Sequence, residues 1–419
     1  MSKKYKIAIV VGTFPVVSQT FIVNQINALI DEGYEVNLYA FKKGKLDNLH
    51  QSFLKHNLLE KVQYLKKVNA NYFIRFLEFF QWTITNFFKI RWSQYFEILN
   101  GFKYGNDAYS LKLFYGFHWC LTEDDFDIIH VHFAHNAYFV AYLKTLGLIP
   151  AETKLITTIH GYDLIPSKSS YYKKAYRKIF NETSLFTVNS IYTKGQLQKI
   201  APQLNNISVL PVGLDTNYFS RKQPQSINDT FNILFCGRLI ELKGPEIAIS
   251  ITEALLKKGY KQVQLHMVGD GPLYQHLKNV ISEKQLSQSI VLNGLLTQDK
   301  IKDKLEHSHV LIMPGIKDLE TGQEEAQGLV IQEAQAMGLP VVVSDVGGMK
   351  YGLLPNESGF VVKANDVQAF VNCIEKLILD KTLGESMGEK GTQFVKQHYD
   401  ISILTKRLID LYQSVSNSK

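Results

Sequence analysis

Two glutamates, Glu325 and Glu333, flank seven residues in the run from Glu325 to Val343, Glu-Ala-Gln-Gly-Leu-Val-Ile-Gln-Glu-Ala-Gln-Ala-Met-Gly-Leu-Pro-Val-Val-Val. The spacing predicts Glu325 in a loop and Glu333 about a turn and a half into a helix that stops at Gly338-Leu339-Pro340. The amides of Gly328, Leu329 and Val330, free at the start of that helix, would form an anion site. Carboxylates beside an anion site make sense for a ligand with both hydroxyls and phosphates. Carboxylates accept from sugar and ribose hydroxyls, and amides donate to phosphate oxygens. The plainer alternative is an acidic helix start stabilised by its own dipole.

A second cluster follows the next likeliest phosphate chemistry. In Gly237-Arg238-Leu239-Ile240-Glu241-Leu242-Lys243-Gly244, two cations leave a buried strand together, and Arg238 and Lys243 there could hold a diphosphate and stabilise its charge as it departs. Ordinary surface ion pairing is the competing use. His160, in His160-Gly161-Tyr162-Asp163, would face a cleft from a strand end, although a lone histidine in such a place is more often structural. His130 and His132 share one face of a strand, with His135 just beyond it. No cysteine accompanies them and no His-Glu-x-x-His spacing occurs, so they read as buried structural histidines, and no metal site is expected.

These residues must be positioned by strands. Short Val- and Ile-rich runs separated by helix-length segments are the pattern of parallel sheets covered on both faces. Six fall in the first half, at 7–12, 35–40, 128–134, 154–161, 185–190 and 207–213. A polar stretch, 216–230, precedes six more, at 231–237, 263–269, 290–294, 310–315, 340–345 and 359–363. The fold class is therefore α/β, with two doubly wound domains spanning 1–213 and 226–399, and the ligand expected in the cleft between them. Ile403, Leu404, Leu408, Leu411 and Tyr412 recur at helical spacing and predict an amphipathic terminal helix.

Composition narrows the classes. The 419 residues are 45% hydrophobic and 20% charged, which excludes a disordered chain and a multi-span membrane protein. A formal net charge of +7 over this length is far from a nucleic-acid-binding domain. Three scattered cysteines suit a reducing, cytoplasmic compartment, and no Walker loop, Gly-x-Gly-x-x-Gly or His-Glu-x-x-His occurs in a supporting context. The segment Tyr72 to Phe102 stands apart: Phe73, Phe76, Leu77, Phe80, Ile84, Phe87 and Phe88 form an aromatic stripe among basic residues. A helical insertion packed on its own sheet is the expectation, with contact to an anionic membrane surface as the alternative.

Taken together, these motifs resemble family 4 retaining glycosyltransferases of GT-B architecture, of the bacterial exopolysaccharide type. The likeness runs through Phe14-Pro15, Ser18 to Ile22, Ile129 to Phe133, His160 to Asp163, Pro211 to Asp215, Gly237-Arg238, Lys243-Gly244, Gly269 to Pro272 and the two glutamates. The resemblance implies a nucleoside diphosphate sugar as donor substrate, no separate cofactor, and a polysaccharide or lipid-linked acceptor held by the first domain. It gives His160, Arg238, Lys243 and Glu325 catalytic roles and makes Gly237, Gly328, Leu329, Val330 and Glu333 the nucleotide-binding set. It also implies that residues 400–419 return to the first domain; with the cysteine usage and the Tyr72 to Phe102 segment, the expectation is a cytoplasmic protein working peripherally at the inner face of the membrane. Gln19, where relatives often carry Glu, and Ala326-Gln327, in place of Gly-Phe or Gly-Ile, depart from the pattern. A UDP-sugar 2-epimerase, which needs no acceptor, and a noncatalytic nucleotide-sugar or membrane-surface module are the rival readings.

Overall fold

The computed structural model describes residues 4–16, 19–46, 51–123, 125–221 and 230–417. Ser18 of the first motif and residues 222–229 of the polar stretch lie outside them. The first domain is a seven-stranded parallel sheet of β1 (Lys6–Phe14), β2 (Glu35–Lys43), β3 (Gln63–Tyr64), β4 (Ile128–His132), β5 (Lys154–Ile159), β6 (Leu185–Val188) and β7 (Ile207–Val209), ordered β3-β2-β1-β4-β5-β6-β7. The second holds β8 (Phe231–Cys236), β9 (Val263–Val268), β10 (Ile290–Gly294), β11 (Val310–Met313), β12 (Val341–Ser344) and β13 (Gly359–Val362), ordered β10-β9-β8-β11-β12-β13. All twelve expected strands are present. Both sheets reverse order beside their first strand, the switch point at which ligands bind in such folds.

Burial on both faces explains why the strands read as apolar runs. Along β1, Ala8 and Val10 enter one core cluster while Ile7, Ile9 and Val11 enter another on the opposite face. In β8, Ile233 and Phe235 face one way and Leu234 and Cys236 the other. Successive side chains of a strand alternate faces, so a fully covered sheet needs apolar residues at every position.

The last helix, Ile401–Asn417, crosses back to the first domain. Its Leu404, Leu408 and Tyr412 are buried against Ile7, Ile9 and Ile22. The crossing runs beside the outgoing chain: the Leu214 amide donates to the Tyr399 carbonyl at 3.0 Å, and the Ile401 amide to the Leu214 carbonyl at 2.9 Å. Thr216 Oγ1 also donates to Asp400 Oδ2 at 2.5 Å.

The insertion between β3 and β4 corrects the expectation for the aromatic stripe. In the helix Tyr72–Asn86 only Arg75 and Phe79 are buried, and Phe73, Phe76, Leu77, Phe80, Ile84, Phe87 and Phe88 are all exposed. The periodicity correctly marks one helix face. The core of the insertion is instead supplied by Leu113, Phe114, Tyr115, Phe117 and Trp119, which leaves the stripe uncovered. Among the described residues, no helix is long and apolar enough to cross a membrane.

Leu408 is 1% exposed in the junction between the last helix and the first sheet. Leu408→Ala should lower the stability of the first domain by about 2–4 kcal/mol, read as an earlier denaturant midpoint, because it removes buried methyls and leaves a cavity.

Candidate functional site

The centre of the site joins two loops of the second domain. β8 ends at Cys236, and the chain passes through a short turn, Glu241–Lys243, before the helix Pro245–Lys257. From that turn Lys243 Nζ donates to Glu325 Oε2, in the loop between β11 and the helix Leu329–Ala336. Both side chains are largely buried. Burial pushes the Glu325 carboxyl up, but the Lys243 ammonium and the amides of Gln327 and Gly328 outweigh it and hold the group below the usual carboxylate range. The Gly328 amide is therefore not free, as the spacing had suggested: Glu325 takes it. The amides of Leu329 and Val330 remain at the start of the helix without an acceptor among the described residues.

A pair of glycines after β12 fixes this loop from the other side. The Gly348 amide donates to the Glu325 carbonyl at 2.7 Å, and the Gly347 amide to Glu324 Oε2 at 2.6 Å. A Cβ on Gly348 would lie 1.8 Å from the Ala326 carbonyl oxygen, so no other residue permits this approach. These glycines were not singled out from sequence, although a double glycine after a buried strand was the available signal.

An interdomain cavity of about 450 Å³ gathers His160, Arg238, Lys243 and Glu325. Arg238 is exposed on its wall, next to Gly237 at the end of β8, and makes no ion pair among the described residues. The domains come close here: Gly161 has φ +102°, and a Cβ on it would sit 2.6 Å from that of Ala326. Glu333 is not in this cavity. With Leu329, Phe21 and Tyr218 it lines a second one, of about 540 Å³, beside the crossing at Leu214 and Asp400. Burial raises its carboxyl to about 7. The Cys236 thiol, raised to about 12 chiefly by burial, also feels Glu333 and Lys243, which places the end of β8 between the two cavities. The helix Leu329–Ala336 thus lines the second cavity through Leu329 and Glu333, while the loop before it lines the first through Glu324, Glu325 and Ala326.

His160 is the cleft end of a histidine column. The His130 and His132 rings stack at 4.7 Å, and those of His132 and His160 at 5.4 Å. His132 Nδ1 lies 3.1 Å from His160 Nε2, so one of the two nitrogens must carry the shared proton. His130 is held at the far end by Tyr412 Oη of the last helix and by Thr158 Oγ1, both at 2.6 Å. Burial keeps His130 and His160 well below the ordinary imidazole value, and His132 at about 3. His130 and His132 are therefore buried neutral groups, as expected of structural histidines. Asp163 positions the backbone around His160 by accepting from the His160 and Gly161 amides, at 3.1 and 3.0 Å. No group of three or more His, Cys, Asp or Glu side chains suited to a metal ion occurs among the described residues.

Glu333 supplies a test of this geometry. Its carboxyl is raised in the folded state, so its contribution favours folding below the unfolded value near 4.5 and is lost as pH rises through about 7. Glu333→Gln should therefore gain melting temperature relative to the native chain by ~2 °C or more between pH 5 and 8. An unchanged difference across that range would mean that the carboxyl is solvated.

Residues 18–218 match the Glycosyltransferase Family 4 model, and residues 218–394 match Glycosyl transferases group 1. WcaL of Escherichia coli (strain K12), provisionally named a colanic acid biosynthesis glycosyltransferase, is 26% identical over 96% of this chain and 98% of its own. The amylovoran biosynthesis glycosyltransferase AmsK of Erwinia amylovora is 28% identical over 87% of this chain and 88% of its own. The crystal structure of Anabaena Alr3699/HepE with UDP superimposes with a TM-score of 0.70 at 16% identity, covering 98% of this chain and all of that one. At that identity the likeness is one of fold. The two models together span almost the whole chain and meet at the junction between its two sheets, and the chain belongs to the glycosyltransferases that join a family 4 domain to a group 1 domain.

Proposed function

We propose that the chain moves a hexosyl unit from a nucleoside diphosphate sugar to a polysaccharide or lipid-linked oligosaccharide acceptor, with retained configuration, in building a bacterial surface polysaccharide at the inner face of the cell membrane. The observation that carries this reading is the cavity between the domains, where His160, the Lys243–Glu325 pair and the open Arg238 converge. Relatives named for colanic acid and amylovoran biosynthesis support the polysaccharide product, and the fold shared with HepE, solved with UDP and with UDP-glucose, supports the donor class.

In this reading the diphosphate lies between Arg238 and the amides of Leu329 and Val330. Lys243 has three donors, so it can keep Glu325 and still reach a phosphate oxygen. Glu325 receives hydroxyls of the donor sugar, and Glu333 receives the ribose hydroxyls from the adjoining cavity. His160 touches the donor sugar or the acceptor near the reacting carbon. The acceptor oxygen bonds to the anomeric carbon as the bond from that carbon to the diphosphate breaks, and the departing phosphate oxygen takes the hydroxyl proton. Retention without a covalent intermediate is supported by the state of the nearby carboxylates. Glu325 is held by Lys243, Glu324 accepts from Gly347, and Asp318 accepts from Thr321 and Glu320, while Glu241 is exposed. Fixed cations and amides meet the charge developing on the diphosphate, so the reaction is expected to proceed in a metal chelator.

Acceptor-dependent release of UDP, GDP or ADP from the corresponding sugar donor tests the reading, with the anomeric configuration of the product read by NMR. Release that is independent of acceptor, or an inverted product, would overturn it. Arg238→Ala should lower turnover by ~10² or more at unchanged melting temperature, because the side chain is exposed and unpaired. Lys243→Ala should lower both turnover and stability, the latter by ~3 kcal/mol or more, because it strands a buried carboxylate. Equal effects of the two substitutions on stability would contradict the ion pair.

A further inference from the structure

The insertion between β3 and β4 leaves an apolar surface with nothing on it. Thirteen of the 24 exposed large hydrophobics among the described residues fall within 68–109, about a tenth of the chain, and neighbouring rings touch, Phe76 with Phe80 at 6.4 Å and Phe87 with Phe88 at 5.4 Å. Phe73 is 71% exposed, Ile84 75%, and Phe88 and Phe102 are fully exposed. The patch stands on a packed base: Phe79 is 5.7 Å from the Tyr95 ring and 4.8 Å from that of Phe114, and Arg75 Nη1 donates to the Ser110 carbonyl at 3.0 Å. An apolar patch of this kind on a well-anchored support marks an interaction surface.

Charge around the patch identifies the partner. All three acids of residues 61–112 are already engaged: Glu78 accepts from Tyr115, Glu97 from Lys103 and Tyr104, and Asp107 from Tyr142. Lys66, Lys67 and Lys89 are exposed and have no acidic partner among the described residues. The outward surface is therefore aromatic and cationic. A second copy of this chain meeting it face to face would oppose lysine to lysine, which disfavours a symmetric dimer. A bilayer bearing anionic headgroups satisfies both components, because aromatic rings settle at the headgroup level and lysines meet lipid phosphates. The 15-residue helix Tyr72–Asn86 is about 22 Å long, too short to span a bilayer but suited to lie in its surface.

We propose that the exposed aromatic and lysine surface of residues 66–109 seats the first domain on an anionic lipid bilayer. The purpose of such seating rests on the proposed use of an acceptor at the membrane. The seating itself is measured without donor or acceptor, so its failure and that of the glycosyl-transfer reading are separate results.

Flotation of the full chain with vesicles of phosphatidylcholine alone, or with 30% phosphatidylglycerol added, tests the surface. The native chain should float with the anionic vesicles and be largely released by high salt. Phe73→Ser/Phe88→Ser/Phe102→Ser should lower partitioning by ~10-fold or more at unchanged melting temperature, since these rings pack on little in the free protein. Lys66→Glu/Lys67→Glu/Lys89→Glu should remove the preference for phosphatidylglycerol. A native chain that stays in solution with anionic vesicles would overturn the proposal, as would binding indifferent to both triple variants. Light scattering that shows a dimer dissolved by the phenylalanine substitutions would assign the patch to a second copy instead.

Discussion

A single buried ion pair, Lys243 with Glu325, organises the second domain's half of the cavity. It links the loop after β8 to the loop before the helix Leu329–Ala336, and the same carboxylate accepts the Gln327 and Gly328 amides. Glu325 thus holds the turn that leads into that helix while neutralising a lysine from another loop. Gly347 and Gly348 then hold the backbone of the loop at a distance that only glycine allows. Replacing such a pair by apolar residues is often harmless to stability, whereas removing one partner leaves a charge stranded. Its importance here is geometric: it fixes the turn before the helix and leaves Arg238, on the same cavity, without an ion-pair partner among the described residues.

The first domain's half is organised by neutral groups. Tyr412, His130, His132 and His160 form a continuous line from the last helix to the cleft, joined by two hydrogen bonds and two ring stacks. Because Tyr412 belongs to the segment that returns from the second domain, docking of the chain's end and placement of His160 depend on the same contacts. The two halves therefore contribute differently, one with charges held by buried partners, the other with an imidazole kept neutral by burial.

Much of this was legible in the sequence. Parallel strands buried on both faces read as Val and Ile runs, and the motifs at their ends placed His160, Arg238, Lys243 and Glu325 on one cavity. β3 was not legible because it is two residues long and half polar, Gln63 and Tyr64. The aromatic stripe misled because helical periodicity shows that one face differs from the other but does not say what covers it. The Lys243–Glu325 pairing spans 82 positions, and the capture of the Gly328 amide depends on a rotamer; neither leaves a trace in local pattern.

Gln327 stands where the resemblance led one to expect an apolar residue, and it is 5% exposed. Its side-chain amide pairs with the backbone of Val212 in both directions, Val212 N to Oε1 at 2.8 Å and Nε2 to the Val212 carbonyl at 2.9 Å. A glutamine used this way imitates the edge of a neighbouring strand. The loop before the helix Leu329–Ala336 is consequently in register with the chain leaving the first domain, as if the two were rungs of one ladder. Any widening of the cleft must either break both bonds or turn about Val212 as a fixed pivot, so this corner of the molecule sets an axis for motion that an apolar contact, free to slide, would leave undefined.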